Sequence, residues 1–187
     1  MKRAVDKQWE RFGKENPYFG VLSDDEFKKE NLNEHAKSEF FRSGEEHIDF
    51  IIRLIKQHLD ANFCPKRSLD FGCGTGRLVI PIAKRFGHVV GVDISKSILQ
   101  EARRNCQASN VEFIESDDEL SKVDGKFDFI HSYIVFQHIP VRRGVKLFER
   151  MIELLSDNGV AALHFTYFRD VSFIRKSLCW IQKKIPL

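Results

Sequence analysis

The apolar positions change period once along the chain. From Glu45 to Leu59, the residues Ile48, Ile51, Ile52, Ile55 and Leu59 recur at helical spacing and predict a helix with one apolar face. The stretch before it is polar and helical in pattern, with no convincing strand. It carries Trp9, Phe12, Tyr18, Phe19, Phe27, Phe40 and Phe41, aromatics that so short a segment cannot bury alone. From Arg67 onward strands and helices alternate. A strand at Ser68–Phe71 meets a glycine-rich turn, and a helix follows from Gly76 to Phe86. The strand "HVVGV" ends at Asp93, and Ser95 caps a helix running to Asn105. The segments "VEFIE" and "KFDFIHSYIVF" carry the third and fourth strands. Val141, Val145, Phe148, Ile152 and Leu155 mark a helix that Asp157-Asn158-Gly159 ends, and "VAALHFTY" is the fifth strand. Such alternation predicts an α/β fold with a doubly wound, mainly parallel sheet. It divides the chain into an N-terminal helical cap, residues 1–63, and a Rossmann-like core, residues 64–187, in a single domain overall.

Composition narrows the function. The net charge of +3 is spread over interspersed acids and bases, without the basic, aromatic-laced stripe of a nucleic-acid binder, so no nucleic-acid partner is expected. The four cysteines, Cys64, Cys73, Cys106 and Cys179, lack CxxC spacing. That argues against a metal site or a disulfide framework and fits a reducing compartment. No apolar run reaches the ~18 residues of a membrane span, and the polar N-terminus is no signal peptide. The expectation is a cytoplasmic protein.

The chemistry concentrates in "SLDFGCGTGRL", where Gly72, Gly74 and Gly76 alternate directly after the first strand. Glycines so placed let backbone pass close to a ligand. A dinucleotide fingerprint needs G-x-G-x-x-G, and Arg77 or Val79 stands where its third glycine belongs. The Gly-Lys-Ser/Thr of a P-loop is absent too.

With Asp70 two residues ahead of Gly72, the pattern acid-x-Gly-x-Gly-x-Gly resembles motif I of the class I S-adenosylmethionine (SAM)-dependent methyltransferases. "GVDIS", "NVEFIESDD", "FDFIHSYIVFQHIP" and "LSDNGVAALHF" resemble the later motifs, so the likeness covers about Arg67 to Thr166. It implies strand order 3-2-1-4-5 and SAM as cofactor, with S-adenosylhomocysteine (SAH) as product. It further implies that Gly72, Cys73, Gly74 and Gly76 approach the methionyl part and that Asp70 lies near its amino group. Asp93 would accept from both ribose hydroxyls, Ile94 would cover the adenine, and Ser116 with Asp117 or Asp118 would meet its edge. Ser132 to His138 follow the fourth strand and face the expected methyl position. His138 is the candidate base, with structural packing before Pro140 as the alternative. Tyr18, Phe19 and Phe136 are candidate substrate contacts, with core packing as their alternative.

The family's last strands form a hairpin after the fifth. Here the twenty residues after Tyr167 suggest one amphipathic helix, with Val171, Ile174, Leu178 and Ile181 on one side and Arg175, Lys176, Lys183 and Lys184 on the other. The fifth strand is then an exposed edge, to be covered by that helix or by a second copy in a homodimer, unless the chain is a truncation. Membrane contact through the basic face is a weaker expectation. The resemblance implies an enzyme that methylates a small molecule, at oxygen. The alternatives are a non-catalytic SAM-binding module and an NAD-dependent oxidoreductase.

Overall fold

Strand β1 (Arg67–Phe71) is the middle strand of a five-stranded sheet in a computed structural model, which describes residues 4–117 and 119–166. On one side it pairs with β2 (His88–Asp93), which pairs with β3 (Val111–Glu115). On the other side it pairs with β4 (Phe127–Ser132), which pairs with β5 (Leu155–Leu163). Every pairing is parallel and the order is 3-2-1-4-5, as the motif resemblance implies. The order reverses at β1, so the chain leaves β1 and β4 in opposite directions and opens a crevice at their C-terminal ends.

Alternation along the strands sends side chains to two separate cores. Leu69, Phe71, Val90, Val92 and Ile130 pack against α6 (Val141–Leu154). Val89 and Phe129 face the opposite way. They pack against α3 (Glu34–His58), α4 (Val79–Arg85) and α5 (Lys96–Asn105) through Ile48, Ile55, Val79, Ile82 and Leu99. The predicted helix over Glu45–Leu59 therefore extends back to Glu34, where Asn33 caps it by accepting from the Ala36 N–H at 2.9 Å. Helix α4 starts at Val79 rather than Gly76, because the turn continues through residues 76–78.

Two shorter helices, α1 (Ala4–Glu15) and α2 (Pro17–Val21), complete the N-terminal segment. Tyr18, Phe27 and Phe40 form a small aromatic core of their own. The Tyr18 hydroxyl ties that core to α5 through Glu101 (2.8 Å) and Asn105 (2.9 Å).

Two readings at the end of the core are corrected. Helix α6 ends at Leu154, and Asp157-Asn158-Gly159 lies inside β5, not at a helix terminus. Phe127 pairs with Leu155 while Phe129 pairs with Val160, so residues 156–159 form a bulge. Gly159 allows it, since a Cβ there would stand 2.9 Å from the Phe127 carbonyl. The second correction concerns which face of α6 is buried. The sheet takes Leu147, Met151 and Leu154, and Gly144 faces Phe136 and Ile139, whereas Val141, Val145 and Ile152 are 82%, 50% and 46% exposed. The helix carries two apolar stripes, and sequence spacing does not rank them. Residues 167–187, including the predicted C-terminal helix, lie outside the described residues.

Gly44 sets how closely α3 lies on the turn before α4, since a Cβ there would stand 2.3 Å from the Arg77 carbonyl oxygen. Gly44→Ala should destabilise the protein by about 1–3 kcal/mol through overpacking, although alanine favours a helix by about 1 kcal/mol. The urea midpoint reads the sign, and a midpoint at or above wild type contradicts the packing.

Candidate functional site

The turn between β1 and α4 is built on left-handed backbone. Gly72, Gly74 and Gly76 have φ of 72°, 55° and 89°, a region side chains disfavour. The N–H groups of Gly72 and Cys73 both donate to the Val92 carbonyl, at 2.8 and 2.9 Å, and clamp the turn to the end of β2. A Cβ on Gly72 would meet Val135 at 2.4 Å, so the loop after β4 can close onto the turn only because position 72 is glycine. That loop is itself constrained. Ile134, a β-branched residue, has φ of +62°.

At the end of β2 the Asp93 carboxylate faces the same crevice. One oxygen accepts from the Gly74 N–H (3.1 Å) and the other from the Ser95 N–H (2.9 Å). Burial pushes its carboxyl up to about 6, against those hydrogen bonds, which lower it. Ser95 caps α5 by accepting from the Ile98 N–H at 3.2 Å. Glu10 of α1 accepts from the hydroxyls of Ser95 (2.9 Å) and Ser97 (2.7 Å) and holds α1 beside the crevice.

The result is a cleft at the C-terminal ends of the strands. Of the residues singled out from sequence, it brings together Gly72, Gly74, Asp93, Ile94, Ser116, Asp117 and His138. Asp117 also organises its own loop, accepting from the N–H groups of Glu119 (3.0 Å) and Ser121 (2.9 Å) and from the Ser121 hydroxyl. Burial alone would raise its carboxyl, but the hydrogen bonds from Ser121 and Glu119 outweigh that and hold it low. Asp118 is outside the described residues.

His138 stands on a short 3-10 turn, Phe136–His138, with the Trp9 ring edge-on at 5.1 Å. Burial lowers its imidazole below the ordinary value. Thr166 donates to Gln137 Oε1 (2.9 Å), which turns the Gln137 amide nitrogen toward His138 Nε2 (3.1 Å). With that orientation Nε2 accepts, and a neutral His138 carries its proton on Nδ1.

The other candidates sit away from the cleft. Asp70 is buried behind the turn. Its Oδ1 meets His131 Nδ1 at 2.8 Å, and His131 Nε2 meets His47 Nε2 of α3 at 3.1 Å. Burial and the neighbouring His131 push His47 down to about 4, so it is neutral. The Ser132 hydroxyl donates to the Phe71 carbonyl within the sheet (2.9 Å). Cys73 is fully enclosed, and burial raises its thiol. Tyr18 belongs to the aromatic core described above and Phe19 tilts against Phe12. Phe136 stacks on Phe71 (5.8 Å) and Phe165 (4.5 Å) behind the cleft wall.

Sequence reasoning did not single out Asp6, Tyr133 or Arg143, all of which line the cleft. The Arg143 Nη1 donates to Asp6 Oδ1 at 2.6 Å, across 137 positions of sequence. No periodicity or motif announces such a pair. Among the described residues no group of histidine, cysteine or acidic side chains has metal-binding geometry, and no helix is long and apolar enough to cross a membrane.

Known proteins resemble the chain in sequence and in fold. Residues 69–159 match the protein family described as "Methyltransferase domain". Over 98 residues the chain is 40% identical to the ribosomal protein L11 methyltransferase of Thermosipho melanesiensis, an alignment covering 51% of this chain and 36% of that protein. It is 30% identical over 117 residues to the trans-aconitate 2-methyltransferase of Rhizobium etli, covering 62% and 42%. The chain thus spans less than half the length of these two curated relatives. In fold it is similar to the magnesium protoporphyrin IX methyltransferase of Synechocystis PCC 6803, crystallised with bound SAH. The TM-score is 0.64 at 21% identity, over 98% of this chain and 78% of that one. Residues 69–159 thus match a methyltransferase domain, and the 3-2-1-4-5 sheet and glycine turn in the same segment resemble the class I S-adenosylmethionine-dependent methyltransferases.

Proposed function

We propose that this chain binds SAM in the cleft and transfers its methyl group to a small-molecule acceptor, at oxygen. The observation that carries the reading is the Asp93 carboxylate, held by two backbone N–H groups beside a turn that has no room for a side chain at Gly72. The residues present fit this cofactor. Asp93 retains lone pairs for a ribose diol, Gly72 and Gly74 line the cleft with bare backbone, and Ile94 and Ile98 offer apolar surface for a base. When bound, SAM supplies a methyl group on a sulfonium, already activated for displacement. The protein then has to hold an acceptor oxygen in line with that carbon and take its proton.

His138 is the group suited to the proton. Burial lowers its imidazole and so favours the neutral form, and its Nε2 lone pair lies toward Gln137, a partner an acceptor hydroxyl can replace. Trp9 packs on the ring and limits its rotation. Relatives divide on the acceptor. One is named for trans-aconitate and another for ribosomal protein L11. The cleft supports the smaller acceptor, because α1 closes it from above through Val5, Asp6 and Trp9.

Calorimetry with SAH and NAD, followed by a radiolabelled-methyl assay over a metabolite panel, tests the reading. SAH binds and NAD does not; absence of heat with SAH overturns it. Methyl transfer to ribosomal protein L11, with none to small acceptors, removes the finer claim.

Asp93→Asn replaces a carboxylate oxygen by an amide nitrogen that meets a backbone N–H, and SAH affinity should fall about tenfold to a hundredfold. The same carboxylate sets a pH limit. Above about 6 it is ionised and accepts from the diol, so SAH affinity should be full at neutral pH and decline as pH falls through about 6. Measured in His138→Ala, the decline reports Asp93 without the histidine. His138→Ala itself should lower kcat by about a hundredfold or more while leaving SAH affinity unchanged. An unchanged kcat would assign the histidine to packing.

A further inference from the structure

The cleft is lined by three carboxylates, Asp6, Asp93 and Asp117, and by one permanent cation among the described residues, Arg143. Arg143 lies in the first turn of α6, five residues after His138, and its side chain is only 10% exposed. Asp6, from the first turn of α1, is 9% exposed and supplies the carboxylate that meets it at 2.6 Å. An ion pair this dry recovers little net stability against its desolvation. Exchanging one carboxylate for another preserves the balance. Helix α1 is positioned for that exchange. Glu10, one turn along, is held separately by Ser95 and Ser97, so the Asp6 end can withdraw without undocking the helix. Val5, Trp9, Ile139 and Leu147 give the space around the pair apolar walls.

We infer that Arg143 is the anion receptor of the acceptor site, that Asp6 holds its place in the acceptor's absence, and that the acceptor is a carboxylic acid on an apolar body. The inference rests on the methyltransferase reading and deepens it. The guanidinium offers a planar fork of donors matched to a carboxylate, which fixes the acceptor's direction as well as its position. A carboxylate paired with arginine is a weakened nucleophile, so it serves as the handle. The methylated oxygen is a second group on the same acceptor, directed toward His138. Arg143 is thus a specificity-determining residue that touches the acceptor and takes no part in the bond change.

Benzoate and its uncharged isostere benzamide test this by calorimetry on the full chain saturated with SAH. Asp6→Asn, which removes the competing charge, should bind benzoate at least tenfold more tightly than wild type. Arg143→Met should abolish benzoate binding, Arg143→Lys should keep part of it, and benzamide should not distinguish the variants. Equal benzoate affinity in wild type and Asp6→Asn, benzoate binding that survives Arg143→Met, or no benzoate binding to folded Asp6→Asn each overturns the inference. If Asp6→Asn does not fold, wild type against Arg143→Met at millimolar benzoate decides, with equal heats counting against it. SAH is titrated first into every protein. Failure at that step ends the methyltransferase reading, whereas SAH binding without the benzoate pattern ends only the role given to Arg143.

Discussion

The close approach of Val135 to Gly72 governs the rest of the site. Strand order reverses at β1, and the loops leaving β1 and β4 must share the space above the two strand ends. They share it because position 72 has no side chain and takes a φ of 72°, with two N–H groups anchored on the Val92 carbonyl. The N–H groups of Gly72 and Cys73 on the Val92 carbonyl hold the end of β2, and with it Asp93, beside the turn. The return from β4 passes through Ile134 in the left-handed region before the chain reaches His138. Strain at a β-branched residue costs of order 1–3 kcal/mol and persists only where surrounding packing outweighs it. Here the surroundings are the wall of the cleft.

The two faces of the sheet serve this site differently. The α6 face is built on an apolar core, and its helix delivers Arg143 to the cleft rim. The α3 face contains a polar line running from Asp70 through His131 to His47. Asp70 and His131 are register partners on adjacent strands, so their side chains point to the same face. The motif acid is therefore gripped from behind, which orients its carboxylate under the turn without placing it on the cleft surface. The same face carries Ile48 and Ile55 of α3 in its hydrophobic core, so the N-terminal segment meets the sheet through apolar packing and this polar line together.

Much of the fold was legible because local rules and global topology agree. Each strand of the core is a short segment carrying apolar residues, and Ser95 caps the helix its position announces. The glycine turn is legible for a sharper reason, since alternate glycines after a strand have few other uses. The errors arose where a local pattern had two solutions. On α6 the stripe through Val141, Val145 and Ile152 is as regular as the one through Gly144, Leu147 and Met151, and only the sheet selects between them. Asp157-Asn158-Gly159 signals a turn, and a bulge in a parallel strand satisfies the same backbone demand. The boundary of α4 shifted because the turn uses its residues up to Leu78.

The sequence by itself determined the α/β alternation and the placement of the glycine turn and Asp93 at strand ends. These depend on residues near one another in the chain, whose conformational preferences survive in any context. Tertiary structure alone decided the partners of those residues. It joined Asp6 to Arg143 and Trp9 to His138, and it turned Asp70 toward His131 and away from the cleft. Such pairings arise from helices and strands docking across more than sixty positions of chain, where distance and burial, not spacing, set which groups meet.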